Sequence, residues 1–466
     1  RQHQYARIEI FKNHFYIKEY DENVYEIIYK LKKYAESGIK NYTHSVDLWM
    51  KNSGLIIDCD EKKNALRNLF KNSKVAFIYG AAGTGKSTMI NYISSLFKDK
   101  QKIFLANTNP AVENLRRKVT AEHAEFVTIT KFLSKDVSND CDILCLDECS
   151  TISNRDMVRV LQRAQCKLLV LVGDIYQIES ILFGNWFNIA YKVMPKDSVA
   201  ELTRPHRTTV QGLIEVWNKV REITEDRLEF ITRNGLSSTL DESIFSRTEE
   251  DEIVLCLNYD GIYGINNINK FLQSNNVNPS INWGVLSYKV GDPVLFNESN
   301  RFAPLVYNNL KGKILQIEEE EDCIYFTIEV YTVLNELDVI GFDLELKESV
   351  TDETSVIRFK VGRGGDGNDD NDNVENVVPF QVAYAISIHK AQGLEYESVK
   401  VVITSEIEEM VSHNIFYTAI TRAKSKLKIY WSPETEKRIL ENMKVQFNDK
   451  DYQLFKAKYK EALLKS

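Results

Sequence analysis

Covalent cross-linking is the first thing this chain has little of. Seven cysteines in 466 residues are sparse and odd in number, so they read as reduced thiols of a cytosolic protein rather than a disulfide framework. An excess of positive charge is missing too. Lys and Arg number 59 against 67 Asp and Glu, net −8, with a sequence pI near 5.6. That excludes a protein that holds a polyanion by bulk charge and confines any such site to local residues. No apolar run approaches the ~20 residues of a membrane helix, and the polar N-terminus has no signal-peptide apolar centre. A soluble, cytoplasmic protein with no membrane partner is expected. Metal-type clusters are also lacking. Cys141, Cys145 and Cys149 straddle an apolar strand pattern and read as buried thiols, and the residues after Asp366 miss the Gly and Glu offsets of an EF-hand loop. The chain opens on Arg1 rather than Met, as a piece of a longer protein would.

What is present is ordinary globular material, 43% hydrophobic and 27% charged, with length for about three domains. Val24, Ile27, Ile28, Leu31 and Tyr34 recur at helical spacing behind Asp21, a candidate N-cap, and ahead of Gly38 as a stop. A second helix is expected over Ser45 to Asn52, making residues 1–55 a helical extension. From 56 to 205 short apolar runs at Val75 to Tyr79, Ile103 to Leu105, Ile143 to Leu146 and Leu168 to Val172 alternate with helical patterns, the mark of parallel βαβ units. The alternation resumes at Ile253 to Leu257, Val399 to Ile403 and Leu427 to Trp431, giving a second α/β layer over 206–284 and 379–466. Between them, over 285–378, the period changes to two. Ile324, Phe326, Ile328 and Val330 fall on one face, and Tyr325, Thr327, Glu329 and Tyr331 on the other. This reads as an inserted small β module, with the acidic run Glu318 to Asp322 as a hairpin turn and Gly362 to Asn373 as a loop.

Gly80-Ala81-Ala82-Gly83-Thr84-Gly85-Lys86-Ser87 has phosphate-loop spacing between a buried-type strand and a helical pattern. Glycines let backbone N–H groups wrap the phosphates of ATP, Lys86 reaches the β and γ phosphates, and Ser87 ligates Mg²⁺. Leu144-Cys145-Leu146-Asp147-Glu148 is an apolar strand ending in two acids. Asp147 would hold the metal, and Glu148 would take a proton from the attacking water. Leu171-Val172-Gly173-Asp174-Ile175-Tyr176-Gln177 is a third such strand, whose Gln177 can bond both that water and the γ phosphate. The three segments together describe an ATPase.

At this point the chain resembles the superfamily 1 helicases, in their RecD-like and Dda-like branch with UvrD-like C-terminal segments, over roughly residues 56 to 432 and in the family's order. Ala106-Asn107-Thr108-Asn109-Pro110-Ala111 and Thr128-Ile129-Thr130-Lys131-Phe132-Leu133 look like the family's strand-gripping segments. Glu201-Leu202-Thr203-Arg204-Pro205-His206-Arg207 matches the segment whose last Arg reaches the γ phosphate. Ser387-Ile388-His389-Lys390-Ala391-Gln392-Gly393-Leu394-Glu395 resembles the segment that links nucleotide to nucleic acid. Tyr417-Thr418-Ala419-Ile420-Thr421-Arg422-Ala423 resembles the one with the arginine finger. The resemblance implies two RecA-like P-loop domains with an SH3-like insertion, echoed in Val290 to Val294 and Tyr307 to Ile314. Carried over residue by residue, it places ATP also against Thr88, Gly393 and Glu395, and single-stranded DNA against Thr108, Asn109, Thr128, Lys131, His389 and Lys390. Lys86, Glu148, Gln177, Arg207 and Arg422 become the catalytic set.

Two departures qualify this. Lys62 stands where relatives have an adenine-reading Gln, and only Ser134 to Asp142 intervenes where the Dda-like branch inserts a strand-splitting hairpin. The expectation is therefore an ATP- and Mg²⁺-dependent helicase or translocase on single-stranded DNA, of 5′ to 3′ polarity by resemblance. The alternatives are a non-processive nucleic-acid-stimulated switch in a repair or defence complex, and a motor on RNA. A partner or fused nuclease fits either. Lys102, Arg116, Arg117, Lys118 and Lys390 are the local basic candidates, with helix solvation the simpler account of at least two of Arg116 to Lys118.

Overall fold

The computed structural model describes residues 7–81, 83–134, 139–178, 183–204, 208–297, 301–303, 305–349, 351–362, 376–444 and 449–459. The chain forms two compact units, one of Arg1–Thr224, Ser412–Thr421 and Met443–Ser466, the other of Glu225–Val411 and Arg422–Asn442.

In the first unit the apolar runs become a six-stranded parallel sheet. Its order is Ala124–Thr128, Lys102–Ala106, Asp140–Leu146, Gln165–Gly173, Val75–Gly80, Val199–Leu202. The runs are continuous because both faces are covered. Val75, Phe77 and Tyr79 pack on one side with Val24, Ile27 and Leu31 of helix Lys18–Ala35, while Ala76 and Ile78 pack on the other with Leu66, Phe70 and Ile90. Each Val, Leu, Ile or Phe side chain among them contributes about 1.5–3 kcal/mol on burial.

The N-terminal extension differs from its reading. It opens with an antiparallel hairpin, Ile8–Phe11 paired with His14–Ile17, before its helices. Asp21 is not an N-cap, because the helix begins at Lys18 behind Ile17. Its carboxylate is buried, accepts the Tyr459 hydroxyl at 2.7 Å and pairs with Lys458, so it is used to hold the C-terminal helix. The next helix begins at Tyr42 rather than Ser45. The first unit also runs past residue 205. Helices Gln211–Glu222 and His413–Ile420 pack together in it, with Trp217 Nε1 donating to the Ile420 carbonyl at 3.0 Å and His413 Nε2 lying 2.9 Å from the Val220 carbonyl.

Besides a two-stranded antiparallel hairpin, Ser280–Trp283 with Leu286–Lys289, the second unit holds two larger sheets. One is parallel in its pairings, in the order Ala385–Ser387, Glu252–Cys256, Tyr396–Val402, Ala423–Tyr430, Ser237–Ser238. The other is antiparallel, in the order Glu345–Lys347, Ser355–Gly362, Cys323–Val330, Lys311–Glu319, Pro293–Phe296, Phe380–Val382. Ile324, Phe326, Ile328 and Val330 are fully buried in its core, and the acidic run turns between Glu319 and Cys323. Asp292 explains the Val290 to Val294 phrase as packing. Its buried carboxylate accepts from the Tyr384 hydroxyl at 2.8 Å, Gln273 Nε2 at 2.6 Å, Asn276 Nδ2 at 2.9 Å and the Lys289 N–H at 2.9 Å. Among the described residues no helix is long and apolar enough to cross a membrane. Cys141, Cys145 and Cys149 are free thiols buried in the first unit's core.

Candidate nucleotide site

Register decides what meets at the carboxyl end of the first sheet. Tyr79 pairs with Gly173 and Leu146 with Leu171, so three neighbouring strands deliver Gly80, Asp147 and Asp174 to one edge. Ligand sites of parallel sheets form at that edge.

The loop after Gly80 is shaped by glycine. Gly83 and Gly85 have φ of 76° and 85°, the left-handed region that other residues avoid. A Cβ on Gly85 would also lie 2.5 Å from Lys62 Nζ. Helix Lys86–Leu96 starts at once, with Ser87 and Thr88 in its first turn, so its N-terminal N–H groups and dipole face an incoming anion. Lys86 Nζ donates to the carbonyls of Gly80 at 2.8 Å and Ala81 at 3.0 Å, and Thr84 Oγ1 donates to Ala81 at 3.0 Å. The ammonium therefore stands over the loop. Ala82 lies outside the described residues.

Burial raises the Asp147 carboxyl above its usual range, and the Glu148 N–H at 2.9 Å and the Lys86 charge pull it back. A half-buried carboxylate facing an ammonium and an anion cradle suits a hydrated divalent cation held jointly with Ser87. Glu148 is left-handed at φ 51°, a conformation that costs of order 1 kcal/mol or more in a non-glycine residue and concentrates at functional sites. Its carbonyl accepts the Thr151 N–H and hydroxyl, each at 2.9 Å.

Gln177 is fixed from behind. Its carbonyl accepts Asn414 Nδ2 at 2.9 Å, and the next N–H, of Ile178, donates to Thr418 Oγ1 at 3.1 Å. Tyr176 stacks its edges on His413 and Tyr417, with ring centroids 6.2 and 6.3 Å apart, and the Arg221 guanidinium lies 5.8 Å over its ring. Sequence reasoning missed Asn414 and Arg221, and it placed Thr418 only in the arginine-finger segment. The i, i+4 spacing of Asn414 and Thr418 was a usable signal for one polar helix face, but nothing local named Gln177 as its target. Lys62 is 1% exposed and bonded to Asp58 at 2.5 Å, so this departure from the family pattern is a buried cation against Gly85 rather than a solvent-facing Lys.

Within the second unit, Gly393, Glu395 and Arg422 come together. Gly393 turns at φ 80°, the buried Arg422 donates through Nη1 to the Leu394 carbonyl at 3.2 Å, and its own carbonyl accepts the Tyr396 N–H at 3.0 Å. Lys390 Nζ donates to Gln381 Oε1 at 2.9 Å, and burial lowers its pKa, while His389 is exposed. Arg207 lies outside the described residues.

The strand-gripping candidates divide. Thr108 and Thr128 are N-caps, their hydroxyls accepting from Ala111 N at 3.4 Å and Lys131 N at 3.2 Å, with Asn109 opening the first of these helices. Lys131 is exposed. Lys102 is withdrawn as a basic candidate. It is 2% exposed and spends its ammonium on the carbonyls of Lys98, Lys100 and Glu122 at 3.0, 2.8 and 3.0 Å. Arg116 is paired with Glu113 at 2.9 Å.

Residues 59–241 match the family model described as an AAA domain, and residues 382–430 match that of the UvrD-like helicase C-terminal domain. The chain is 24% identical over 448 residues to an uncharacterized protein of Methanocaldococcus jannaschii, covering 79% of this chain and 37% of that protein. It is 23% identical to the RecBCD enzyme subunit RecD of Buchnera aphidicola subsp. Schizaphis graminum, covering 83% and 78% of the two chains. To the ATP-dependent DNA helicase Pif1 of Campylobacter jejuni it is also 23% identical, covering 76% and 88%. The chain thus spans well under half of the archaeal relative and most of the two bacterial ones. Among solved structures, Pif1 in a study of DNA unwinding at forked dsDNA gives a TM-score of 0.51 at 17% identity, and Bacteroides Pif1 bound to ssDNA gives 0.50 at 16%. Each covers 87% of this chain and 98% of the other, a likeness of fold. Both family matches in order along the chain, RecD and Pif1 among its relatives and this shared fold support a superfamily 1 helicase of the RecD and Pif1 kind, families of ATP-hydrolysing DNA helicases.

Proposed function

We propose that the chain is an ATP-dependent motor on single-stranded DNA, moving 5′ to 3′, in which hydrolysis drives closure of two RecA-like domains around an SH3-like insertion. The observation that carries this reading is the meeting of Gly80, Asp147 and Asp174 at the ends of three neighbouring strands. Backbone N–H groups of Gly83 to Ser87 cradle the phosphates of ATP, with Ala81, Ala82 and Thr88 beside them. Lys86 neutralises the β and γ oxygens. Ser87 and Asp147 would hold Mg²⁺, which supplies further charge neutralisation. Glu148 takes the proton of the attacking water, and Gln177 orients that water. Arg207 and Arg422 stabilise charge on the transferring phosphoryl group, as planar, permanently charged guanidinium groups do. Gly393 and Glu395 line the nucleotide's other side.

Thr108, Asn109, Thr128, Lys131, His389 and Lys390 grip the strand by a few phosphate contacts, which a net charge of −8 permits. Support for DNA comes from the Pif1 relative that binds ssDNA, and support for a protein partner from RecD, a subunit of a larger enzyme. The shortness of Ser134 to Asp142 favours translocation over strand splitting. The test is ATP turnover alone, with single-stranded DNA and with RNA, followed by unwinding of duplexes bearing 5′ or 3′ tails. DNA stimulation with 5′-tail unwinding is expected for the helicase, and stimulation without unwinding for a translocase. RNA stimulation alone reassigns the polymer, and no response to either overturns the motor in favour of a switch.

A further inference from the structure

The end of the first sheet remote from the phosphate loop carries a cavity of about 670 Å³, within the size range of ligand-binding clefts. It opens where the chain enters the central strands, one strand length, about 20 Å, from the nucleotide edge. Its floor is apolar, made by Ile39, Phe97, Ile143 and Leu168. Its rim is basic, with Lys33, Lys74, Lys100 and Lys167 all exposed around the mouth. Asp142 is the only carboxylate of this lining, and it is engaged, accepting Lys167 Nζ at 2.7 Å and the Gln101 N–H at 3.1 Å. Among the described residues no carboxylate pairs with Lys33, Lys74 or Lys100. Four ammonium groups against one carboxylate make this apolar mouth locally positive in a chain whose net charge is −8, with Lys33 also lying over the Tyr29 ring at 4.5 Å.

We propose that this cavity docks an acidic segment of a partner protein that carries an apolar anchor. The floor takes the anchor out of water, and the rim meets flanking carboxylates, so affinity and orientation come from different halves of one site. A nucleic-acid strand fits less well, because it would need ring faces on which to stack. The lining offers two rings, too few for a stacked strand: Tyr34, whose hydroxyl donates to the Cys166 carbonyl at 3.3 Å, and Phe97, T-shaped to Phe70 with centroids 6.0 Å apart. An occupant here touches neither the phosphate loop nor Asp147, so docking and turnover are separable.

The experiment is fluorescence anisotropy of a labelled peptide of sequence EDFLDE with the full chain, its alanine-for-phenylalanine analogue, and a labelled oligo-dT of matched length. Wild type is expected to bind EDFLDE with a micromolar dissociation constant that weakens with salt. The double variant Lys74→Glu, Lys100→Glu is expected to weaken binding at least about tenfold while ATP turnover stays unchanged. No binding by about 1 mM peptide, or equal binding by wild type and variant, overturns the site. Equal binding of the alanine analogue overturns the apolar anchor. Oligo-dT binding that the same substitutions abolish, without peptide binding, reassigns the surface to nucleic acid.

Discussion

The two parallel sheets of this chain are built alike and charged differently. In the first, the strand Val75–Gly80 carries no charge, Asp147 and Asp174 follow the carboxyl ends of the next two strands, and the charges within those two, Asp140, Asp142 and Lys167, lie near their opposite ends. In the second, charge sits inside the sheet. Glu252 and Lys400, 5% exposed each, pair at 3.1 Å. Glu252 also accepts the hydroxyls of Ser398 at 2.9 Å and Thr248 at 3.0 Å, while Lys400 donates to the Ser243 carbonyl at 3.0 Å and to that of Ser246. Every group in that network is satisfied, and the loop after the strand Glu252–Cys256, although it holds Gly261 and Gly264, has no lysine and no acid pair. Shared architecture therefore says little about duty, because chemistry lives in what the strand ends deliver. One sheet leaves acids at the carboxyl ends of its central strands, and the other consumes a buried ion pair in holding itself together.

Substitutions at the first sheet's edge should separate the two most sharply. Glu148→Gln is expected to lower ATP turnover by about 10²–10⁴-fold, the span of a lost general base, with nucleotide still bound. Lys86→Ala should abolish turnover and weaken nucleotide binding as well. Steady-state phosphate release and titration with a fluorescent nucleotide measure the two effects. Turnover at the wild-type level in both variants would refute the assignment.

The second sheet should respond in the opposite way. Glu252→Gln strands the buried Lys400 ammonium without its counter-charge, which costs about 3–5 kcal/mol. Hydrogen exchange resolved by segment should show faster exchange over Glu252–Cys256 and Tyr396–Val402, with protection of Val75–Gly80 and nucleotide binding retained. Loss of nucleotide binding with an undisturbed second sheet would erase the distinction drawn between them.

How much of this could be read in advance follows the range of the forces involved. The central strands were legible because burial on both faces leaves continuous apolar runs, and the phosphate loop because its glycines and Lys86 are local requirements of one backbone shape. The turn at Glu319 to Cys323 was legible for the same local reason. Asp21 was misread because an acid before a helical pattern has two uses, and the long-range partners Lys458 and Tyr459 chose between them. Lys102 looked like a surface cation until three carbonyls closed on it. The hold of Asn414 and Thr418 on Gln177 and Ile178 spans more than 200 residues of sequence, and no local pattern encodes it.

The smallest expected effect is the most diagnostic of what the first sheet's edge is for. Burial raises the Asp147 carboxyl, so the folded chain binds that proton more tightly than the unfolded chain does. At neutral pH the ionised carboxylate is then a net cost to folding, and the cost fades as pH falls through the raised pKa. Asp147→Asn removes the charge and keeps an oxygen to accept the Glu148 N–H. Without nucleotide or metal, the variant is expected to be more stable than wild type by about 1 kcal/mol at neutral pH, as at other sites where function opposes stability. That margin should shrink in acid, and Mg²⁺-dependent turnover should be lost. Thermal unfolding at two pH values reads the margin. A variant less stable than wild type at neutral pH would make Asp147 a structural acid like Glu252, and the contrast between the two sheets would fail at its central residue.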